Sequence, residues 1–185
     1  MRIIGGSLRG TALASVGKGD KAAHLRPTTD RIRESLFNLL VHGDYPTIDD
    51  ARVLDLFAGT GALGFEALSR GASRALFVDD GAKSRALLRE NTDKLRMIGQ
   101  SKIYRRDATR MGENRGEAYG LVFLDPPYGK SLGEKALASC EKGGWLTDDA
   151  LIIWEESAAV VAPAGYALLD QRAYGDTTIT ILQRG

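Results

Sequence analysis

The tetrapeptide Asp125-Pro126-Pro127-Tyr128 closes the apolar run Leu121-Val122-Phe123-Leu124. Such a run, ended by a turn, predicts a strand buried on both faces of a sheet. Each proline fixes its own φ and pushes its predecessor toward extended backbone, so the chain must leave this strand in a stiff direction and cannot begin a helix. Prolines carry no N–H, so the carbonyls here stay free to meet a ligand. A carboxylate, a free carbonyl and an aromatic ring on one rigid edge form a receptor for a flat base with an amino group. Asp125 and the Pro126 carbonyl accept its two N–H bonds, while the ring of Tyr128, which needs no hydroxyl for the task, stacks on its face. The bland alternative is a structural turn with a surface tyrosine.

A second constellation lies upstream. The run Val53-Leu54-Asp55-Leu56-Phe57 leads into Ala58-Gly59-Thr60-Gly61-Ala62-Leu63-Gly64, and a strand over Arg74–Val78 ends in Asp79. Glycines after a strand let backbone approach a ligand at the carboxyl edge of an open α/β sheet, and an acid at the next strand tip suits a ribose diol. The Gly59-x-Gly61-x-x-Gly64 spacing also fits the dinucleotide fingerprint, so an NAD-dependent oxidoreductase is one reading. Against it, the chain is too short to hold a separate substrate domain.

The elements that must position these groups follow from periodicity and punctuation. Arg2-Ile3-Ile4, Gly5-Gly6 and a second short run to Leu13 predict a hairpin-like start, and Ser15 to Ala23 predicts a mobile loop. His24 at its edge receives no role. Thr28, Thr29 and Asp30 are three N-cap candidates for a helix with Ile32, Leu36, Leu39 and Leu40 on one face and Arg31, Arg33 and Glu34 elsewhere. Helices are expected at about 62–70, over Gly81–Ile98 and over Leu132–Glu141, with strands over Lys102–Asp107 and Leu151–Glu155. Tyr166–Arg172 and Thr177–Gln183 read as an antiparallel pair closing the sheet. Helical and strand patterns alternate, so the fold class is a single doubly wound α/β domain with a mostly parallel sheet. Trp145 and Trp154 read as core.

At 185 residues the chain can bury roughly 70% of its unfolded surface without staples. One cysteine, Cys140, forms no internal disulfide and suits a reducing compartment, with inert packing as its role. No apolar run approaches membrane-spanning length, so the cytoplasm is the default. Two histidines and one cysteine, widely spaced, give no metal site. The net charge of +1 hides an asymmetry: residues 1–33 hold seven Lys/Arg against two acids, leaving the remainder at −4. A basic arm on an acidic body points to a polyanion met by one end, and removing residues 1–22 is expected to weaken binding of that polyanion while sparing the site at the glycine turn.

The Asp-Pro-Pro-Tyr edge resembles that of the amino-methyltransferases, which use S-adenosyl-L-methionine. Three further segments sharpen the likeness: Arg2-Ile-Ile-Gly-Gly-Ser-Leu-Arg-Gly10, Arg26-Pro-Thr-Thr-Asp-Arg-Ile-Arg-Glu-Ser-Leu-Phe-Asn-Leu-Leu40 and Leu56-Phe-Ala-Gly-Thr-Gly-Ala-Leu-Gly64. Together they resemble the bacterial small-subunit rRNA guanine-N2 methyltransferases over nearly the whole chain. The resemblance implies a Rossmann-like sheet with a reversed last strand, a small N-terminal appendage (a basic arm over 1–25 on a catalytic core over 26–185), and a monomer. It implies S-adenosylmethionine held by Thr28, Asp55, Phe57, Ala58, Gly59, Thr60, Gly61, Asp79 and Asp107, the last taking the adenine amino group. Asp79 stands where the family usually has Glu, and Gly81 where a second acid is common. Asp125, Pro126 and Tyr128 would carry the transfer, and Pro127, Arg2, Arg9 and Arg26 would join Asp125 and Tyr128 in meeting the RNA, free or within an assembling small subunit. DNA adenine-N6 or cytosine-N4 methylation and a non-catalytic nucleic-acid binder stay open beside this reading.

Overall fold

The computed structural model describes residues 1–16 and 28–185. Lys18, Lys21, His24 and Arg26 lie outside the described residues, as does the loop expected over Ser15–Ala23 from residue 17 onward. The described chain runs α1 (Asp30–His42), β1 (Arg52–Leu56), α2 (Ala62–Ser69), β2 (Arg74–Val78), α3 (Ala82–Lys94), β3 (Ser101–Tyr104), β4 (Tyr119–Leu124), α4 (Leu132–Lys142), β5 (Leu146–Glu156), β6 (Tyr166–Tyr174) and β7 (Thr177–Arg184).

The strands form one seven-stranded sheet in the order β3-β2-β1-β4-β5-β7-β6. Pairings from β3 through β5 are parallel, while β7 runs antiparallel to both β5 and β6. The expected doubly wound sheet with its reversed end is thus present. Alternate residues of each strand enter opposite cores. Val53, Phe77, Phe123 and Ile153 join α1, α2 and α3 in one cluster, and Leu54, Val78, Leu124 and Trp154 join α4 in the other. Trp145 and Trp154 are core residues, and burial raises the Cys140 thiol to about 12, in keeping with inert packing. No helix among the described residues is long and apolar enough to cross a membrane.

Several boundaries differ from expectation for identifiable reasons. Helix α3 stops at Lys94, four residues early, because Arg96 adopts a left-handed φ of 56°. Strand β3 ends at Tyr104, since Asp107 instead caps a 3-10 turn over Ala108–Arg110. Strand β5 starts at Leu146, five residues before the apolar run, and the polar Thr147-Asp148-Asp149 falls in a register shift between the Tyr119–Leu146 and Leu121–Leu151 pairings.

The largest difference concerns α1. Its buried residues are Arg33, Leu36, Phe37 and Leu40, so Arg33 belongs to the core face while Ile32 and Leu39 are only half-buried. The side chain of Arg33 is fully buried. It bonds Asp30, donates to the Arg2 carbonyl at 2.9 Å and lies 3.6 Å from Glu66, which is itself fully buried. Glu66 in turn accepts the backbone N–H of Ile4 at 2.8 Å, that of Gly5 at 2.9 Å, and the Arg70 guanidinium at 2.9 Å. Buried charges persist when paired and hydrogen-bonded in this way.

These contacts dock the N-terminal segment onto the core. Arg2 bridges Ala12 in the expected hairpin-like start, and Ile3 and Leu13 are buried. Gly6, at φ 75°, sits so close to α2 that a Cβ would lie 1.8 Å from the Ser69 carbonyl oxygen. Ala14 exchanges hydrogen bonds with Asn91 at 2.7 and 3.1 Å. The segment expected to be a detachable basic arm is therefore a docked hairpin, at least to residue 16, with Arg2 and Arg9 exposed on it. Deleting residues 1–13 is predicted to uncover Arg33, Glu66 and the apolar face covered by Ile3, where loss of a single large buried side chain alone costs about 2–5 kcal/mol. Urea denaturation should show a clearly lower midpoint; an unchanged midpoint would mean the hairpin is dispensable to the fold.

Candidate active site

The strand order places the site. It reverses between β1 and β4, where ligands bind beyond the carboxyl ends of the strands in open α/β sheets. Leu56 pairs with Leu124, and the Asp125 N–H points at the Leu56 carbonyl at 3.5 Å, so the glycine turn and the Asp-Pro-Pro-Tyr edge emerge side by side. On the other flank the Ala58 N–H donates to Val78 at 3.1 Å and the Asp79 N–H to Tyr104 at 3.2 Å. Across the tips of β3, β2, β1 and β4 the order is thus Asp107, Asp79, Phe57, Asp125.

A cleft on this edge is lined by Phe57, Val78, Asp79, Asp80, Arg106, Asp107 and Ala108. Asp79 holds the turn together: its two oxygens accept the backbone N–H of Gly59 at 2.9 Å and of Gly81 at 2.8 Å. Gly81, which stands where an acid is common, serves here as an N–H donor to Asp79. Burial raises the Asp79 pKa, the Gly59, Gly81 and Ser84 hydrogen bonds pull it back, and Asp80 adds a small push upward. Asp107 accepts the N–H of Thr109 at 2.8 Å and its hydroxyl at 2.7 Å, both through Oδ1. Phe57 adopts φ 57°, a left-handed conformation uncommon for a bulky residue and concentrated at ligand-binding loops.

These residues fit the adenosine half of S-adenosylmethionine. Phe57 and Val78 supply apolar walls, and the carboxylates of Asp79 and Asp107 retain acceptor sites beyond the bonds already made. Asp80 shares the cleft and its carbonyl accepts from Arg85 at 2.5 Å. Arg106 also reaches the cleft, stacks over Tyr104 and bonds the Met111 carbonyl.

Other predicted residues act one step back. Asp55 is buried within β1 and accepts the Gly64 N–H at 3.0 Å, so it anchors the start of α2 and lies under the glycine turn. Gly64 itself has no room for a side chain, because a Cβ would lie 2.4 Å from the Phe77 ring. Burial, with a smaller contribution from Asp79, raises the Asp55 pKa to about 8 against the pull of the Gly64 bond. The Thr60 hydroxyl meets Met1 and its carbonyl accepts from buried Asn91 at 3.0 Å. Gly61, buried, donates to Ala58 at 2.8 Å within the turn.

On the base-binding side Pro126 is buried, Pro127 exposed and Tyr128 half-buried. Burial pushes the Asp125 pKa well above the usual carboxylate range, and the nearby carboxyl groups of Glu155, Asp55 and Glu156 push it further. The Tyr128 hydroxyl is engaged: it donates to Glu155 at 2.6 Å and lies 3.1 Å from Thr177 Oγ1. The hydroxyl of Thr28 donates to the other Glu155 oxygen at 2.7 Å. Glu155, Asn91 and Glu66 were not singled out from sequence. The only signal for Glu66 is a lone acid within the apolar run Ala62–Leu68, and for Glu155 an acid closing the apolar run Leu151–Trp154.

Sheet, switch point and cleft fit a class I, S-adenosylmethionine-dependent methyltransferase, and the comparisons with known proteins show that class. The family model described as conserved hypothetical protein 95 matches residues 1–183. Ribosomal RNA small subunit methyltransferase D of Escherichia coli strain K12 is 39% identical over 188 residues, spanning 100% of this chain and 90% of that protein. Its Haemophilus influenzae namesake is 33% identical, over 99% of this chain and 93% of that one. A solved E. coli chain is 37% identical with a TM-score of 0.82, covering 100% of this chain and 97% of its own. A more distant solved chain, SMU.776, complexed with SAH, shares the fold at 17% identity and a TM-score of 0.60 over 82% of this chain and 49% of that one. This chain belongs to the bacterial small-subunit rRNA methyltransferase family.

The Asp55 environment has a consequence for stability. With a folded pKa of about 8 against an unfolded value of about 3.9, the folded protein binds a proton that the unfolded chain releases. Stability is then full below the unfolded value and falls as pH rises toward 8. Asp79 and Asp125, also raised, add slope of the same sign. Asp55→Asn keeps an acceptor for the Gly64 N–H and removes the titration. Urea midpoints measured from pH 5 to pH 9 are expected to fall in the wild type and to fall distinctly less in Asp55→Asn; parallel curves would refute this.

Proposed function

We propose that this chain methylates the exocyclic N2 of a guanine in small-subunit rRNA, using S-adenosylmethionine, with the base flipped out of its stack. The observation that carries the proposal is the adjacency of two half-sites at the β1/β4 switch point. A cleft suited to adenosine lies on one side, and a carboxyl, a proline carbonyl and an aromatic ring lie on the other. The guanine N2 target is supported by the motif resemblance, and rRNA by the names of the relatives. Asp79 is assigned the ribose diol and Asp107 the adenine amino group, while Arg2, Arg9 and Arg26 are assigned to the RNA backbone.

S-adenosylmethionine, when bound, supplies an electrophilic methyl carbon. The residues of this chain prepare the nucleophile, an aromatic amine whose lone pair is delocalised into the ring. Asp125 and the Pro126 carbonyl accept its two N–H bonds and favour the tetrahedral nitrogen on which that pair is localised. Tyr128 stacks on the base and holds it in line, and such orientation is worth roughly 7–11 kcal/mol. With the methyl group transferred from the sulfonium, the nitrogen would be cationic with a proton to lose. Asp125, assigned as an acceptor of its N–H, would take that proton, and its raised pKa makes it a stronger base than an ordinary carboxylate.

Labelled-methyl transfer to rRNA, followed by nucleoside identification, tests the reaction. N2-methylguanosine is expected; methyladenosine or methylcytosine from DNA, or no transfer to rRNA, would refute it. In single-turnover assays Asp125→Ala is expected to lose ~10²–10³-fold, the size of one missing electrostatic contact. Asp125→Asn keeps an acceptor but no base and should lie between. The rate should rise with pH as Asp125 ionises, with the rising limb above the ordinary carboxylate range and absent in Asp125→Asn. Tyr128→Ala should lose a stacking contribution of roughly 1–3 kcal/mol. Tyr128→Phe is expected to fall between Ala and wild type, because its hydroxyl, unlike the expectation from sequence, is tied to Glu155 and Thr177. Calorimetry should find cofactor affinity reduced more by Asp79→Ala than by any of these.

A further inference from the structure

One buried acid takes no part in the chemistry above. Glu155, the penultimate residue of β5, is 6% exposed, and none of the ion pairs among the described residues involves it. Pleating puts it on the same face as Ile153, toward α1 and away from Trp154. Each of its oxygens holds a different element. Oε1 accepts the Tyr128 hydroxyl at 2.6 Å, and Oε2 accepts the Thr28 hydroxyl at 2.7 Å. Thr28 leads directly into α1, whose first turn is capped by the Thr29 side chain. The following residue extends the hold: Glu156 Oε1 accepts the Gly129 N–H at 3.1 Å, one step beyond Tyr128.

Burying a carboxyl without a cation costs stability unless hydrogen bonds offset it. Here both bonds go to residues at the site, and neither to a regular element of the sheet. An apolar residue at 155 would pack against β7 without that cost, but it would leave the Tyr128 ring free to rotate. We propose that Glu155 is a positioning residue, which fixes the ring of Tyr128 beside Asp125 and ties that edge to the Thr28 lead-in of α1. The assignment depends on the function proposed above only for what the ring then does.

Glu155 also acts on Asp125 through space. Asp125 is faced by Glu155, Asp55 and Glu156, and among these Glu155 contributes most to the upward push after burial itself. A neutral side chain at 155 removes part of that upward push.

The test uses Glu155→Gln, Glu155→Ala, Tyr128→Phe and the Glu155→Gln/Tyr128→Phe double variant in the full chain, with melting checked for each. Glu155→Gln retains an acceptor and the side-chain volume, so it serves if Glu155→Ala fails to fold. In protein labelled with carbon-13 at tyrosine Cζ, without cofactor or RNA, the resonance missing in Tyr128→Phe identifies Tyr128. Glu155→Gln is expected to shift that resonance. Single-turnover transfer to rRNA should fall about 10-fold in Glu155→Gln, the scale of one hydrogen bond, with the rising pH limb moved to lower pH. The loss in the double variant should be smaller than the product of the two single losses, since both changes weaken the Glu155–Tyr128 contact. An unmoved Cζ resonance, a stationary pH limb, or losses that multiply in the double variant would overturn the assignment. A wild-type chain that transfers no methyl group to rRNA while the resonance still shifts would instead overturn the proposed function and leave the Glu155–Tyr128 support in place.

Discussion

The parallel pairing of β1 with β4 is the constraint from which the rest of this site follows. These strands are far apart in sequence, yet Leu56 lies opposite Leu124, so the two loops that follow them must share one edge. Their registers are set by apolar side chains entering both cores, with Val53 and Phe123 on one face and Leu54 and Leu124 on the other. A slip of one residue would exchange the faces of every side chain, sending Asp55 into the α4 core and Leu56 toward Gly64. The cofactor-side and base-side groups are therefore as well aligned as the hydrophobic cores are well packed. Rigid strands on both sides give the positional precision that in-line methyl transfer demands.

Two kinds of buried acid sit around that edge, and they do opposite things. Glu66 is surrounded by donors, with Arg33, Arg70 and two backbone N–H groups, and it fastens the N-terminal hairpin to α1 and α2. Asp125 stands with Asp55 and Glu155 in a second group, where burial first and then the nearby Glu155, Asp55 and Glu156 raise its pKa. Bringing those carboxyls together disfavours ionisation of Asp125, and that suits a residue assigned to accept a proton. The arrangement costs folding stability at high pH and makes Asp125 a stronger base, a trade commonly found at functional sites.

The N-terminal segment joins these two groups mechanically. Asn91 holds the backbone of Ala14 and of Thr60 with one amide, so the hairpin braces the glycine turn as well as α2. Exposed Arg2 and Arg9 are carried on a docked platform, which places their charge in a defined position relative to the cleft. A basic segment of this kind can steer RNA and orient it with less loss of conformational freedom than a disordered arm would suffer.

Most of the sheet was legible in the sequence because its signal is local: apolar runs for β1, β2 and β4, a glycine turn, and an acid at a strand tip. The roles proposed for Asp79, Asp107 and Asp125 come from that grammar together with the motif resemblance, and the structure brings their positions to one edge. What it did not reveal depends on partners distant along the chain. Arg33 was placed off the apolar face because its burial is decided by Glu66 and the Arg2 carbonyl, neither of which periodicity within α1 can report. Tyr128 presented an aromatic ring, while the use of its hydroxyl was decided by Glu155 and Thr177 on strands that fold back beside it. Sequence patterns record what a residue is and which face of its own element it takes. Which polar atoms meet across elements depends on the registers of the packed sheet, and only the tertiary structure decides those.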